Sequence, residues 1–197
     1  ACAPAIRLLD GTLMIPAYGA LGRAKIGSSV LYHSDDEGST WSEGIDIARG
    51  TPKSRAYQEP VLMELAPGHL LSMLRVSDPE NPGVFWRCES TDSGRSWSRP
   101  QPTGILSGAC PRLLKLRDGR LLLTYGRRFE PYGIYAHLSE DGGQNWGRAW
   151  QLRSAPDTDH GYTSSLEFDD GRILTTTYGK NARRITGITG TFWSLPQ

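Results

Sequence analysis

The sequence predicts an all-β fold, a β-propeller of four-stranded blades. Three observations carry that expectation. A motif of the form S-x-D-x-G-x-[TSN]-W occurs three times, at 34–41, 90–97 and 139–146, with intervals of 56 and 49 residues. An apolar hairpin turned by glycine occurs four times, out of phase with the first motif. Helical periodicity is hard to find, whereas short runs of Val, Ile, Leu, Thr and Tyr recur between Gly-, Asp- and Pro-containing breaks. Two independent markers that keep one period of about fifty residues point to one supersecondary unit used repeatedly.

The hairpins read IRLLDGTLMIPAYG from Ile6, VLMELAPGHLLSMLR from Val61, RLLKLRDGRLLLTYG from Arg112 and SLEFDDGRILTTTYG from Ser165. Their turn glycines are Gly11, Gly68, Gly119 and Gly171, at intervals of 57, 51 and 52 residues. Asp-Gly favours a tight turn because both residues tolerate positive φ. A unit of about fifty residues with four short strands is a propeller blade. The S-x-D-x-G-x-T-W segment suits the turn between outer strands. Its Asp can accept bonds from nearby backbone N–H groups, its Gly supplies an unusual φ, and its Trp can pack between blades. One Asp per blade at the same turn is repeated structure, so Asp36, Asp92 and Asp141 are expected to hold turns and not to catalyse or bind metal. No loop carries the later bidentate Glu of a calcium loop.

Composition narrows the function. The 197 residues carry a net charge of +1, which argues against nucleic acid as the main partner, because phosphate binding needs a basic surface. No run of 18 apolar residues exists, so no membrane-spanning helix is expected. Cys2, Cys88 and Cys110 are odd in number and widely spaced, which is no disulfide framework. His33, His69, His137 and His160 are scattered and no CxxC occurs, so no metal site and no cofactor are expected. No signal peptide is visible at the start of the sequence.

With these residues in view, the chain resembles the sialidases (neuraminidases). Its S-x-D-x-G-x-T-W segments are similar to the Asp-box, or BNR repeat, of that family, and the likeness covers nearly the whole chain. Gln58-Glu59-Pro60, with a hairpin ending in Leu74-Arg75, looks like the stretch holding a catalytic Glu and a substrate-binding Arg. Tyr125-Gly126-Arg127-Arg128 and the following Pro131-Tyr132-Gly133-Ile134 look like the stretch with a later Arg. Gly161-Tyr162-Thr163-Ser164 looks like the stretch with the nucleophilic Tyr. The resemblance implies a six-bladed propeller of which 197 residues supply about four blades, so residues 1–197 are expected to be a partial, C-terminal portion of the domain. It also implies a glycan or sialoglycoconjugate as substrate and a location outside the cytoplasm, extracellular or periplasmic.

The residue chemistry fits that implication. Arginine binds a carboxylate bidentately and stays charged at any working pH. A carboxylate nucleophile would be repelled by an anionic sugar, whereas a phenol is neutral at neutral pH and needs a base. The implied mechanism is retention through a tyrosyl-sugar intermediate, with Tyr162 as nucleophile and Glu59 as its base. Glu59 and Arg75 are sixteen residues apart, so two strands joined by a turn return Arg75 close to Glu59. Arg127 and Arg128 compete for the later position. Adjacent strand residues face opposite ways, so only one points inward, and Arg128 is preferred. Tyr18, Tyr125 and Tyr178 sit at repeated strand ends and are expected to pack. Asp159 and His160 have no assigned role.

Two family features are missing. Neither the early Arg of an F/Y-R-I-P-like motif nor the early acid/base Asp is present, because Ile6-Arg7 belongs to the hairpin repeat. The alternative to a glycosidase is therefore a non-catalytic Asp-box propeller that binds carbohydrate or protein.

Overall fold

The computed structural model describes residues 3–21, 26–51, 56–77, 83–181 and 183–196. Among them the structure is all-β, with fifteen strands in four antiparallel sheets. The chain divides into two compact units, Ala1–Ile105 and Leu106–Gln197, each with its own pair of sheets. Cys2 lies outside the described residues.

In the first unit, one sheet runs β1 (Ile6–Arg7), β2 (Leu13–Leu21), β3 (Ile26–Ser34), β4 (Ile45–Ala48). The next runs β5 (Ala56–Ala66), β6 (His69–Ser77), β7 (Val84–Ser90), β8 (Gln101–Leu106). In the second unit, one sheet holds β9 (Arg112–Lys115), β10 (Leu121–Arg127), β11 (Gly133–Ser139) and β12 (Trp150–Ser154). The last holds β13 (Gly161–Glu167), β14 (Ile173–Lys180) and β15 (Thr186–Trp193). Each sheet is a meander in which chain order is spatial order, as expected of strands joined by short turns. The last sheet departs from the expected four strands, having three among the described residues.

The glycine-turned hairpins are the first two strands of each sheet. Gly11, Gly68, Gly119 and Gly171 all have positive φ, between 72° and 96°. The second strands of the two middle sheets are buried on both faces. In β10 the six residues Leu121–Gly126 are all buried, and in β6 so are Leu70–Leu74. A strand covered on both sides loses the alternation of a half-exposed one. The first unit's core gathers Met14, Leu31, Leu62, Leu70, Leu74 and Trp86, with Trp97 packed against it. The second unit's core gathers Leu116, Leu122, Ala136 and Ile173 beneath Trp150 and Trp193. A row of hydroxyls also joins its two sheets. Thr124 Oγ1 lies 3.0 Å from Thr163 Oγ1 and 3.2 Å from Ser165 Oγ, and Ser165 bonds Thr175 at 2.9 Å.

The three Asp-boxes follow the second-to-last strand of their sheets and close in the same way. Asp36 Oδ1 accepts from Thr40 N at 2.8 Å and from Ser34 Oγ at 2.8 Å, and its Oδ2 accepts from Thr40 Oγ1 at 2.6 Å. Asp92 repeats this with Ser96 N at 2.9 Å, Ser90 Oγ at 2.7 Å and Ser96 Oγ at 2.6 Å. Asp141 uses Asn145 N at 2.8 Å, Ser139 Oγ at 2.9 Å and Asn145 Nδ2 at 2.7 Å. The hydroxyl and backbone bonds from Thr40 and Ser96 hold the Asp36 and Asp92 carboxyls down at about 2, and the Asn145 bonds lower Asp141 too. The residue after each Asp is left-handed: Glu37 at φ 59°, Ser93 at 57°, Gly142 at 71°. Gly94 has a φ of 80°, and a Cβ there would stand 2.6 Å from Leu31 Cδ2 of the neighbouring sheet, so the Leu31 side chain would have to shift.

Candidate functional site

Outside turns, two non-glycine residues among those described sit inside a strand with positive φ: Glu59 at 47° and Tyr162 at 51°. Each lies in the first strand of its sheet at a β-bulge. The β5–β6 register slips between Gln58 and Val61, and the β13–β14 register slips between Gly161 and Ser164. The flanking partners also match, with Gln58 opposite Arg75 and Gly161 opposite Tyr178. A left-handed non-glycine residue costs about 1–2 kcal/mol and persists only where the surroundings enforce it. Bulges re-aim a side chain, and that is their effect here.

The sequence spacing repeats the same arrangement. Glu59 stands nine residues before Gly68 and Arg75 seven after it. Tyr162 stands nine before Gly171 and Tyr178 seven after it. In the intervening hairpin these positions are Cys110 and Gly126, and in the first they are Cys2 and Tyr18. One register therefore supplies Glu/Arg in one blade and Tyr/Tyr in another.

In the first unit, Glu59 is 3% exposed and its Oε2 accepts from Arg75 Nη1 at 3.1 Å. Pro60 follows directly and has no N–H, so the irregular step sacrifices no donor there. The expected meeting of Glu59 and Arg75 across the hairpin is what the strands produce. The Arg75 side chain is 28% exposed, so the pair has a buried carboxylate and a partly solvated cation.

In the second unit, the Arg128 guanidinium lies over the Tyr162 ring, 5.9 Å from its centroid. Its Nε and Nη2 both donate to His160 O at 3.1 Å, and Nη2 also donates to Tyr178 Oη at 3.0 Å. Arg127 is directed elsewhere, donating to Glu130 O at 3.0 Å and lying 5.4 Å from the Tyr135 centroid. The structure thus brings Arg128, and not Arg127, beside Tyr162. The Tyr162 phenol is 38% exposed, and its ring is 6.0 Å from that of Tyr178.

The bulge under Tyr162 is held from three sides. Thr177 Oγ1 donates to Gly161 O at 2.7 Å. Gly126 lies so close below that a Cβ there would come within 2.7 Å of Gly161 Cα. His160 is 2% exposed, with Nδ1 2.7 Å from Asp157 O and Nε2 3.1 Å from both Arg127 O and Gly133 O. This imidazole ties the loop before β13 to the β10–β11 hairpin end, and its own carbonyl holds Arg128.

Sequence reasoning left three residues here without a site role. Asp159 and His160 had none, and Tyr178 was expected to pack. Tyr178 packs its ring beside Tyr162 and also places its hydroxyl between Arg128 and Asp159, donating to Asp159 Oδ1 at 3.2 Å. Lys180 pairs with Asp157 and Asp159 at 3.1 Å each. The Asp159 carboxyl is held below the usual range by Lys180 first and then by the Tyr178 hydroxyl. Tyr125 does pack, buried at 2% exposure and in contact with Tyr135 and His137. Arg7 pairs with Glu37 at 2.6 Å on the surface, and Asp10 Oδ1 caps Thr12 N at 3.0 Å, so both serve turns. Cys88 and Cys110 are buried and form no disulfide, and burial pushes the Cys88 thiol up to about 12.

The described residues contain no cluster of three or more His, Cys, Asp or Glu side chains able to hold a metal, and no helix long and apolar enough to cross a membrane.

Known proteins place this fold. A structure of a protein of unknown function from Dyadobacter fermentans superposes with a TM-score of 0.83 at 23% identity, over 95% of this chain and 51% of that one. The NanB sialidase of Streptococcus pneumoniae superposes at 0.71 and 17% identity, over 97% of this chain and 30% of that one. An α-L-arabinanase of Penicillium chrysogenum, complexed with arabinobiose, superposes at 0.61 and 18% identity, over 94% of this chain and 63% of that one. The chain therefore spans about half the length of the first and under a third of the second. No curated protein matches the sequence. The sheets are β-propeller blades, as in these structures. A family profile for the BNR repeat-like domain matches residues 2–175, and the chain belongs to that family.

Proposed function

We propose that the protein is a retaining exo-glycosidase of sialidase type, which removes a terminal sialic acid or related acidic sugar from glycans. The observation that carries this reading is the pair of matched bulges. Two costly left-handed residues, at the same blade position, present one carboxylate and one phenol, the two groups a tyrosine-nucleophile mechanism needs. In this reading Tyr162 Oη forms a bond to the anomeric carbon as the glycosidic C–O bond breaks, and Glu59 accepts the phenol proton. The aglycone oxygen leaves with a proton from a separate acid. Water then cleaves the tyrosyl-sugar bond, and two displacements give retention. Arg75 and Arg128 bind the sugar carboxylate. The whole substrate-binding domain is proposed to exceed these four blades.

The fold alone does not choose an acidic sugar, since an arabinanase shares it. The choice rests on the guanidinium beside the phenol. Tyr162→Phe is expected to lower hydrolysis of a fluorogenic sialoside by about 10³-fold or more with the thermal midpoint kept. An unchanged rate overturns the nucleophile assignment. A second reading, a glycan-binding propeller without catalysis, is favoured by the structural employment of Arg7 and Asp10. It predicts sialoside binding with no turnover in wild type and in Tyr162→Phe alike.

A further inference from the structure

We infer that Tyr178, backed by Asp159 and Lys180, is a positioning residue that holds Arg128 for an anionic ligand while leaving the guanidinium charge uncompensated. This deepens the reading of Arg128 as a carboxylate-binding residue and rests on it.

Three observations lead there. The first is the company Arg128 keeps. All its hydrogen-bond partners among the described residues are neutral oxygens, the His160 carbonyl and the Tyr178 hydroxyl. Neither carboxylate of the neighbouring loop pairs with it; Asp157 and Asp159 pair with Lys180. Nε and Nη2 are used by those oxygens, and among the described residues Nη1 has no protein partner. A carboxylate in direct contact would occupy the fork and cancel the charge, and an incoming anion would have to displace it.

The second is the relay. The Tyr178 hydroxyl donates to Asp159 Oδ1 and accepts from Arg128 Nη2. A hydroxyl that donates to an anion becomes a better acceptor, so Asp159 strengthens the hold on Arg128 without touching it. Lys180 anchors Asp159 in turn and offsets its charge. Burial raises the Tyr178 phenol, which keeps the donated proton in place.

The third is the blade register. Tyr178 follows the bulged Tyr162 by sixteen residues, as Arg75 follows the bulged Glu59, and each faces the residue before its bulge across the hairpin. A blade position that bears a ligand-binding Arg in one sheet bears, in the other, the residue that aims one.

The test uses the full chain with Tyr178→Phe, which keeps the ring on Tyr162 and removes only the hydroxyl, and Asp159→Asn, an exposed change that keeps the shape. The first readout is the NMR signal of the Arg128 side-chain Nε–H, assigned by loss in Arg128→Lys, with the Arg75 signal as internal control. The second is the affinity for N-acetylneuraminic acid and for its uncharged methyl ester. Tyr178→Phe is expected to shift the Arg128 signal and speed its solvent exchange while Arg75 stays put. It is also expected to weaken the acid about tenfold, as for loss of one hydrogen bond to a charged group, and to leave the ester unchanged. Asp159→Asn should move both readouts the same way by a smaller factor. An Arg128 signal unmoved by Tyr178→Phe overturns the proposal, as does equal weakening of acid and ester. Wild type that binds neither sugar overturns the anionic-sugar reading instead, and the Arg128 signal still decides the positioning role.

Discussion

The blade that carries Glu59 and the blade that carries Tyr162 use the same backbone device for opposite electrostatic ends. Both raise a left-handed residue on a bulge one step past a residue that faces the far strand of the hairpin. In the first, the far strand returns an arginine that meets the bulged carboxylate at 3.1 Å, giving a nearly neutral pair around a buried acid. In the second, the far strand returns a tyrosine, and the guanidinium over the phenol comes from the neighbouring sheet with neutral oxygens for company. Among the described residues, one repeat thus gives a carboxylate paired with a guanidinium in one sheet and a guanidinium with neutral partners in the other. At an effective dielectric of about 20, two unit charges 4 Å apart interact by about 4 kcal/mol, so an unpaired guanidinium is the stronger lure for an anion.

The largest expected effects separate the two residues by role. Beyond Tyr162→Phe, Glu59→Gln retains the shape and a hydrogen-bond acceptor for Arg75 but removes the proposed base. Turnover should fall about 10²–10⁴-fold in steady-state assays with little change in KM. A fall in affinity alone would move Glu59 from the chemistry to Arg75 orientation. Glu59→Ala should also cost roughly 1–3 kcal/mol in urea unfolding, below the figure for fully buried pairs because Arg75 is partly solvated.

Next comes the close approach beneath the second bulge. Gly126→Ala would bring a methyl to 2.7 Å from Gly161 Cα, where backbone must move. A loss of about 1–3 kcal/mol is expected, with reduced turnover because Tyr162 moves with its bulge. Normal stability and turnover would show that the contact is soft.

A smaller effect tests the strain itself. At 59 and at 162, glycine should be more stable than alanine by about 1 kcal/mol, since positive φ costs alanine and not glycine. At Ser164, in the same strand without positive φ, the order should reverse. The same order at all three positions would contradict the bulge argument.

The subtlest effect lies in the turns. Asp36 and Asp92 have carboxyls lowered from 3.8 to about 2, so their bonds stabilise the fold above pH 4 and are lost as pH falls towards 2. Asp92→Asn should lower the thermal midpoint at pH 7, and the gap to wild type should close between pH 4 and pH 2. A gap that persists at pH 2 would mean the carboxylate charge is irrelevant to the turn.

Much of the fold was legible because the two repeats are local. Asp-Gly turns and S-x-D-x-G-x-[TSN]-W boxes act within a few residues, and their period reports the blade. The third strand of the last sheet has no such marker after it, so nothing local sets the number of strands in that sheet. The Glu59–Arg75 meeting was legible because a hairpin brings both ends together. The choice between Arg127 and Arg128 was not settled by alternation, since β10 ends at Arg127 and Arg128 bends away with its N–H on Ser107 O. The hydrogen bonds of the Tyr178 hydroxyl were not legible because its partners, Asp159 and Arg128, are nineteen and fifty residues distant. The sixteen-residue spacing that Tyr178 shares with Arg75 was present in the sequence and marks it out.

The central claim is that Tyr162 attacks the sugar. The most direct measurement is intact-mass and peptide mapping of the protein after reaction with a fluorosialyl fluoride, whose ring fluorine slows hydrolysis of a covalent intermediate. The account predicts one sugar added, on the peptide carrying Tyr162, absent in Tyr162→Phe and formed far more slowly in Glu59→Gln. An adduct on any other side chain, or an adduct undiminished in Tyr162→Phe, would contradict it.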